Sequence, residues 1–380
     1  MFRTRTAAVV SLARTGLGTS RPAVGSAPGP YSAARSRGRA ARRAVLWGAA
    51  AMLGAHLGLA AVIEFASTKT RFPEYGYRLA ALRARQRERG RPLVLFLGSS
   101  CTQNAIRPDA MGLAEGQGSP LVFNFGLSGS LPPQLLLTLR RLLDDGVRPR
   151  AVVVEVFPAA LTSGDATDSM YAFRGAGMTH SDVSRLEPYA RSAVVRERWV
   201  RARAHPWYEA RHVLVSRFAP DWVPRREWSL SGTWDELDPH GFYPFPQAGA
   251  DDRRAGRLAA ARDSLGRLVG DLTVTEPALS SYREVAAHGR AHRIAVAFYV
   301  VPESPVFRSW YTRRSHEELA AFVRVLTDEL GAPVFEATAG LADEDFADGH
   351  HVLRAPAARY SRALADQHLK PWFNVLGIDR

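Results

Sequence analysis

The chain has 380 residues, 46% of them hydrophobic and 9% aromatic, which is enough to fill one large domain or two ordinary ones and excludes a wholly disordered protein. Its formal charge of +13 is concentrated at the front: residues 1–44 hold nine arginines and no acid, leaving 41 basic and 37 acidic residues in a nearly balanced body, which argues against nucleic-acid binding. The single cysteine, Cys101, excludes an intrachain disulfide framework and any multi-cysteine metal cluster.

The tail from Ser20 to Arg43 is rich in Gly, Pro, Ser, Ala and Arg with no apolar period, so residues 1–44 read as a basic, disordered tail. Residues 45–63, "VLWGAAAMLGAHLGLAAVI", are 19 residues without a formal charge, about the length that crosses the hydrocarbon of a bilayer. An uncleaved transmembrane anchor over 45–66 is the favoured reading; a cleaved signal peptide and a soluble core helix are the alternatives, and "EFASTKT" makes a poor cleavage site. Arginines on one side only keep the tail in the cytoplasm and send residues 67–380 outside, as a single-pass protein of the cell membrane. Within 67–91, "YRLAALRARQRERGR" reads as a polar helix ended by Gly90, a linker that spaces the domain from the bilayer.

From residue 92 short apolar runs alternate with helical patterns. "LVLFLG" (93–98), "LVFNFG" (121–126), "AVVVEVF" (151–157), "IAVAFYVVP" (294–302) and "PVFEA" (333–337) read as strands. Helices are expected over 134–146, 280–292, 317–330 and about 356–368. This alternation predicts an α/β fold with a parallel sheet covered by helices on both faces, interrupted by an insertion at about 160–270 that holds most of the tryptophans.

The first strand runs into Gly98, Ser99 and Ser100. In open parallel sheets ligands gather at the carboxyl ends of strands, where helix N-termini supply N–H groups for a developing oxyanion. A serine there is either a helix cap or a nucleophile, and the second role needs a partner. Near the other end "EDFADGHHVLRAPAARYSRALA" places Asp348 three residues before His351, the pairing by which a carboxylate orients an imidazole base; a solvated turn is the alternative. Cys101 reads as a small packing residue, and the adjacent His350 and His351 diverge too much to make a metal site. His240 and Glu303 are candidate pocket residues.

Taken together these motifs resemble the SGNH (GDSL-like) hydrolase superfamily over about residues 92–370, in particular its membrane-anchored bacterial branch, similar to D-alanyl transfer and alginate O-acetylation proteins. The resemblance implies a three-layer, flavodoxin-like sandwich around a parallel sheet. It implies Ser100 as nucleophile, His351 as base, Asp348 as its orienter, and the Ser100 and Gly129 amides as oxyanion donors, Gly129 coming from "NFGLSGS". "VVPESPVFRSWY" (300–311) is similar to the proline-bearing strand end of the anchored branch. Where the hydrolases carry an oxyanion asparagine after the third strand, this chain has Phe157 and Pro158; Asn104 and Gln103 are the candidate side-chain replacements. An α/β-hydrolase is less suited, because Gly98-x-Ser100-x-Thr102 lacks the second glycine of a nucleophile elbow.

The expected activity is serine esterase or O-acyltransferase chemistry on an acylated cell-surface saccharide or lipid-linked substrate, without cofactor or metal. The rival expectation is a catalytically silent relative that binds a glycan or partners a membrane-bound acyltransferase. A lipase is a minor third.

Overall fold

The structure is a computed structural model that describes residues 30–65, 68–87, 90–114, 116, 118–162, 177–189, 192–224, 234–245 and 252–378. The chain divides into two compact units after Ala55. A helix, α1 (Pro30–Phe65), begins well before the apolar stretch, so residues 30–43, expected as disordered tail, are helical; residues 1–29 lie outside the described residues. Its part Gly38–Phe65 is long and apolar enough to cross a membrane, and only 6% of the apolar window is buried.

The second unit is α/β with one five-stranded parallel sheet. The strands are β1 (Leu93–Gly98), β2 (Leu121–Gly126), β3 (Ala151–Val156), β4 (Ala295–Val300) and β5 (Val334–Phe335), in the order β2-β1-β3-β4-β5. β1 to β3 are buried at every residue, which is why they read as near-continuous apolar runs, broken by Asn124 in β2 and Glu155 in β3, rather than as alternating ones. The register is in step, from Leu93 opposite Leu121 to Gly98 opposite Gly126. Because β1 is followed on one side by β2 and on the other by β3, a crevice opens where the order reverses, at the carboxyl ends of β1 and β3.

Besides α1 the helices are α2 (Pro73–Arg85), α3 (Ser100–Ala105), α4 (Pro132–Asp144), α5 (His180–Leu186), α6 (Ser192–Ala204), α7 (Arg211–Ser216), α8 (Asp252–Gly270), α9 (Glu276–His292), α10 (Arg313–Arg324), α11 (Arg354–Leu364) and α12 (Lys370–Leu376), with shorter turns between them. Side-chain alternation along the strands makes two cores. Leu93, Leu95 and Leu97 share one with α2, α4, α9 and α10, through residues such as Leu82, Leu139, Tyr282 and Phe322. Val94 and Phe96 share the other with α11 and α12, through Tyr360, Leu364 and Phe373. α4 shows the cause locally: Leu135, Leu136, Leu139, Leu142 and Leu143 recur at helical spacing, and all are buried.

The expected linker helix proves different. α2 starts at Pro73, and Tyr75, Leu79 and Leu82 form a stripe at helical spacing that is buried in the first core. It is therefore part of the domain. Reading the helix from Tyr77 onward counts its arginines and misses the start of the stripe.

Candidate active site

Ser100 is the first residue of α3, which begins directly after β1 and Ser99. Ser99 is the cap: its side chain accepts a 3.1 Å hydrogen bond from the Cys101 amide, so capping and exposure of a hydroxyl are divided between the two serines. Ser99 is buried, whereas Ser100 keeps partial exposure.

The loop after β5 brings the other end of the chain to this point. His351 Nε2 lies 2.7 Å from Ser100 Oγ, and His351 Nδ1 lies 2.7 Å from Asp348 Oδ2. The Asp348 carboxylate is fixed in turn by the backbone N–H of His351 (3.0 Å) and of His350 (3.3 Å). Burial pushes the Asp348 carboxyl up, but His351 beside it and the hydrogen bonds pull harder, holding it well below the usual carboxylate range. Ser100, His351 and Asp348 thus meet across 251 residues of sequence, in the geometry by which an imidazole can take a serine proton while a carboxylate fixes its orientation. Among the described residues neither the Ser100 nor the Gly129 backbone N–H has a hydrogen-bond acceptor. Gly129 lies in the turn after β2, with φ +69°.

The buried acid in β3 was not singled out from the sequence. Glu155 Oε2 accepts hydrogen bonds from Ser99 N (2.9 Å), Thr102 N (3.0 Å) and Thr102 Oγ1 (2.5 Å), and Tyr299 OH lies 2.5 Å from the same Thr102 hydroxyl. Burial raises the carboxyl above its ordinary range, and these donors oppose the rise. The signal was present: an acid inside "AVVVEV" has no solvent face to occupy. Gly98 makes room for it, since a Cβ there would lie 1.6 Å from Thr102 Oγ1 and 2.5 Å from Glu155 Oε2. Gly98→Ala is expected to cost at least about 1–3 kcal/mol of stability and to displace the Ser100 turn. Urea unfolding measures the first effect and labelling of Ser100 by an acyl donor the second; unchanged values in both would remove this role for the glycine.

The replacements proposed for the oxyanion asparagine are both buried near the turn. Asn104 donates one N–H to the Tyr243 carbonyl (2.8 Å), tying the segment 234–245 to α3. The Gln103 side-chain oxygen lies 3.0 Å from the Ser128 hydroxyl, one residue before Gly129. Phe157, at the place of the asparagine, stacks on His350 with ring centres 5.7 Å apart and planes 10° from parallel. Its role is packing: it backs the loop that carries Asp348 and His351.

The insertion contributes two side chains that sequence reading missed. Phe245 lies over His351 at 5.4 Å, and Arg257 of α8 donates Nε to the Ala347 carbonyl (3.0 Å) with its guanidinium 5.9 Å from the Phe245 ring. His240 is in the turn that follows Asp238, where its carbonyl accepts from Asn124 N (2.8 Å). The insertion residues 163–176, 190–191, 225–233 and 246–251 lie outside the described residues.

Cys101, His350 and His351 have potential ligand atoms within 4.8 Å of one another. Both nitrogens of His351 are engaged by Ser100 and Asp348, and burial pushes the Cys101 thiol up, away from the thiolate a metal needs. Burial also lowers His350, to about 3, so it is neutral at physiological pH. A metal here would have to displace the Ser100–His351–Asp348 contacts.

Glu303 borders a separate cavity of about 310 Å³ at the ends of β4 and β5, with Arg308, Tyr311, His316, Glu336 and Tyr360. Burial raises its carboxyl to about 7, against a 2.7 Å hydrogen bond from Tyr311 and the nearby Arg308, which lower it. The folded protein therefore retains a proton that the unfolded chain releases near pH 4.5, and stability falls as pH rises from there through about 7. Glu303→Gln is expected to flatten this dependence, adding roughly 1 kcal/mol at pH 8 and little at pH 5, less than the ~1.4 kcal/mol per pH unit of a fully dry group because the cavity admits water. Urea unfolding at both pH values tests it; parallel curves for the two proteins would rule it out.

No protein-family model matches this chain, and no curated protein matches it in sequence.

Proposed function

We propose that this chain is a membrane-anchored serine esterase or O-acyltransferase with the three-layer sandwich of the SGNH hydrolases, acting outside the cytoplasm on acyl esters of a cell-surface saccharide or lipid-linked substrate. The observation that carries the reading is the hydrogen-bonded line from Ser100 Oγ through His351 to Asp348. Ser100 Oγ attacks the acyl carbonyl while its proton passes to His351 Nε2. The Ser100 and Gly129 amides hold the oxyanion. Collapse of the tetrahedral species expels the alcohol, which takes the proton from His351, and leaves an acyl-Ser100 ester. Water or an acceptor hydroxyl then repeats the sequence in reverse. The nine arginines and the lack of any acid in residues 1–44 support a cytoplasmic N-terminus.

The full chain in detergent, given a short-chain acyl ester chromophore, tests this by chromophore release and by the mass of acyl-Ser100. Phe157 favours a second reading, because it offers no donor to an oxyanion and the loss of one donor costs roughly 10² to 10³ in rate. On that reading the chain is a silent glycan-binding partner of a membrane acyltransferase. Glycan binding that survives Ser100→Ala and His351→Ala, with no adduct on the unaltered protein, would select it.

A further inference from the structure

Six large apolar side chains outside α1 are exposed among the described residues, and five of them fall within 23 residues: Val200 (51%), Trp207 (50%), Tyr208 (62%), Phe218 (90%) and Trp222 (80%). Exposed apolar residues scattered singly need no explanation, but such a concentration does. They belong to α6, the turn at 206–209, the turn that follows α7 and the turn at 220–222, and these helices and turns pack consecutively on one another.

This subdomain is tied to the outer end of the apolar helix. The last turns of α1, His56–Phe65, belong to the same compact unit as the sheet. There Glu64 is ion-paired with Arg203 of α6, whose Nε donates to Glu64 Oε2 at 2.7 Å, and Arg71 donates to the Glu64 carbonyl at 3.0 Å. Trp207 follows Arg203 by four residues, a reach of at most about 14 Å. Headgroup regions occupy the outer ~5–7 Å on each side of the hydrocarbon, so Trp207 and Tyr208 are within range of them if α1 spans. Trp and Tyr favour that zone, where an apolar ring and a polar edge are both satisfied. Charge agrees: residues 192–224 hold six arginines against three acids, and the Arg211 guanidinium sits 3.7 Å from the centre of the Tyr208 ring. Exposed aromatic side chains set among arginines suit a layer of anionic lipid headgroups.

We propose that this surface is a second membrane contact: Trp207, Tyr208, Phe218 and Trp222 rest in the headgroup layer of the leaflet that α1 leaves, and hold the catalytic unit against the bilayer. The proposal rests on α1 being the anchor. It goes beyond that reading, since a single helix on a flexible connection would leave the domain free to tumble. A domain held down presents its Ser100 site at a fixed height, which suits a substrate that is itself confined to the envelope.

The test uses the full chain in vesicles of phosphatidylcholine with phosphatidylglycerol. Single cysteines at Leu53, Trp207, Phe218, Trp222 and Val375 carry nitroxide labels, Cys101 being too buried to compete. Collision with dissolved oxygen and with a water-soluble nickel chelate reads their depth. The expected result is a lipid signal at Leu53→Cys, loss of nickel collision at Trp207→Cys, Phe218→Cys and Trp222→Cys, and full nickel access at Val375→Cys. Labels at 218 and 222 as open to nickel as the one at 375, with 53 still in lipid, would overturn the second contact and leave the anchor; such a surface would then be a site for a protein. Nickel access at 53 would remove the anchor and this inference with it. All labelled sites outside the span are at least half exposed, so the substitutions leave the core intact.

Discussion

Ser100→Ala is expected to lower acyl-ester turnover by on the order of 10⁴- to 10⁶-fold and to eliminate the acyl adduct, while thermal unfolding stays within experimental scatter. Stability is spared because Ser99, not Ser100, caps α3, and because Ser100 is only partly buried. His351→Ala should fall to a similar rate, and the double variant no further, since three groups that act in one step are not additive. Asp348→Asn should be nearly as damaging, for a distinct reason. The carboxylate accepts from His351 Nδ1 and from two backbone amides, and an amide side chain would hold the ring in the wrong tautomer. Asp348→Asn should also loosen the loop, which a lower unfolding midpoint would show alongside the slower rate. Ser100→Ala that retains turnover and label would remove the mechanism, and Asp348→Asn with unchanged kinetics would reduce Asp348 to a turn residue.

The sheet was legible because parallel strands buried on both faces must be apolar throughout, and "LVLFLG" and "LVFNFG" coincide with β1 and β2 to the residue. The meeting of Ser100, Asp348 and His351 was legible because each has a local context that suggests a partner: a strand end, and a carboxylate three residues before an imidazole. What sequence reading missed depends on contacts that no local pattern encodes. Phe245 and Arg257 reach the site from an insertion whose own sequence shows no period pointing there. α2 resembled a polar spacer because residues 77–91 hold six arginines and only two residues of its buried stripe, Leu79 and Leu82, yet Arg78 is fully buried and donates to the Asn124 carbonyl 46 residues away. The helical start at Pro30 reflects the same limit: Arg and Ala support a helix that the flanking Gly and Pro seemed to forbid.

Glu155 joins the site to the fold, and Glu155→Ala is the second large effect expected. One carboxylate oxygen takes two amide N–H groups and one hydroxyl from the turn that carries Ser100. Truncation leaves these buried donors unmatched at about 1–3 kcal/mol each, offset in part because the carboxylate no longer has to be held out of water, so a net loss of about 3–5 kcal/mol is expected. The effect on rate follows from position. Ser99 N and Thr102 N flank the Ser100 amide in sequence, so without their acceptor the first turn of α3 is free to shift, and a misplacement near 1 Å costs roughly 10²-fold. Glu155→Gln discriminates between the two contributions. Its carbonyl oxygen can still accept, but its NH₂ offers no lone pair and the charge that strengthens the bonds from Ser99 and Thr102 is gone. Intermediate stability with most of the rate restored would identify Glu155 as a positioning residue that acts through geometry. A rate as low as that of Glu155→Ala, on a protein of nearly normal urea midpoint, would instead mean that the negative charge itself sets the site, since the turn would be intact and only its field altered. Full activity and normal stability in Glu155→Ala would show that the strand end and helix hold Ser100 without it, and the buried acid would then lack a role in the site.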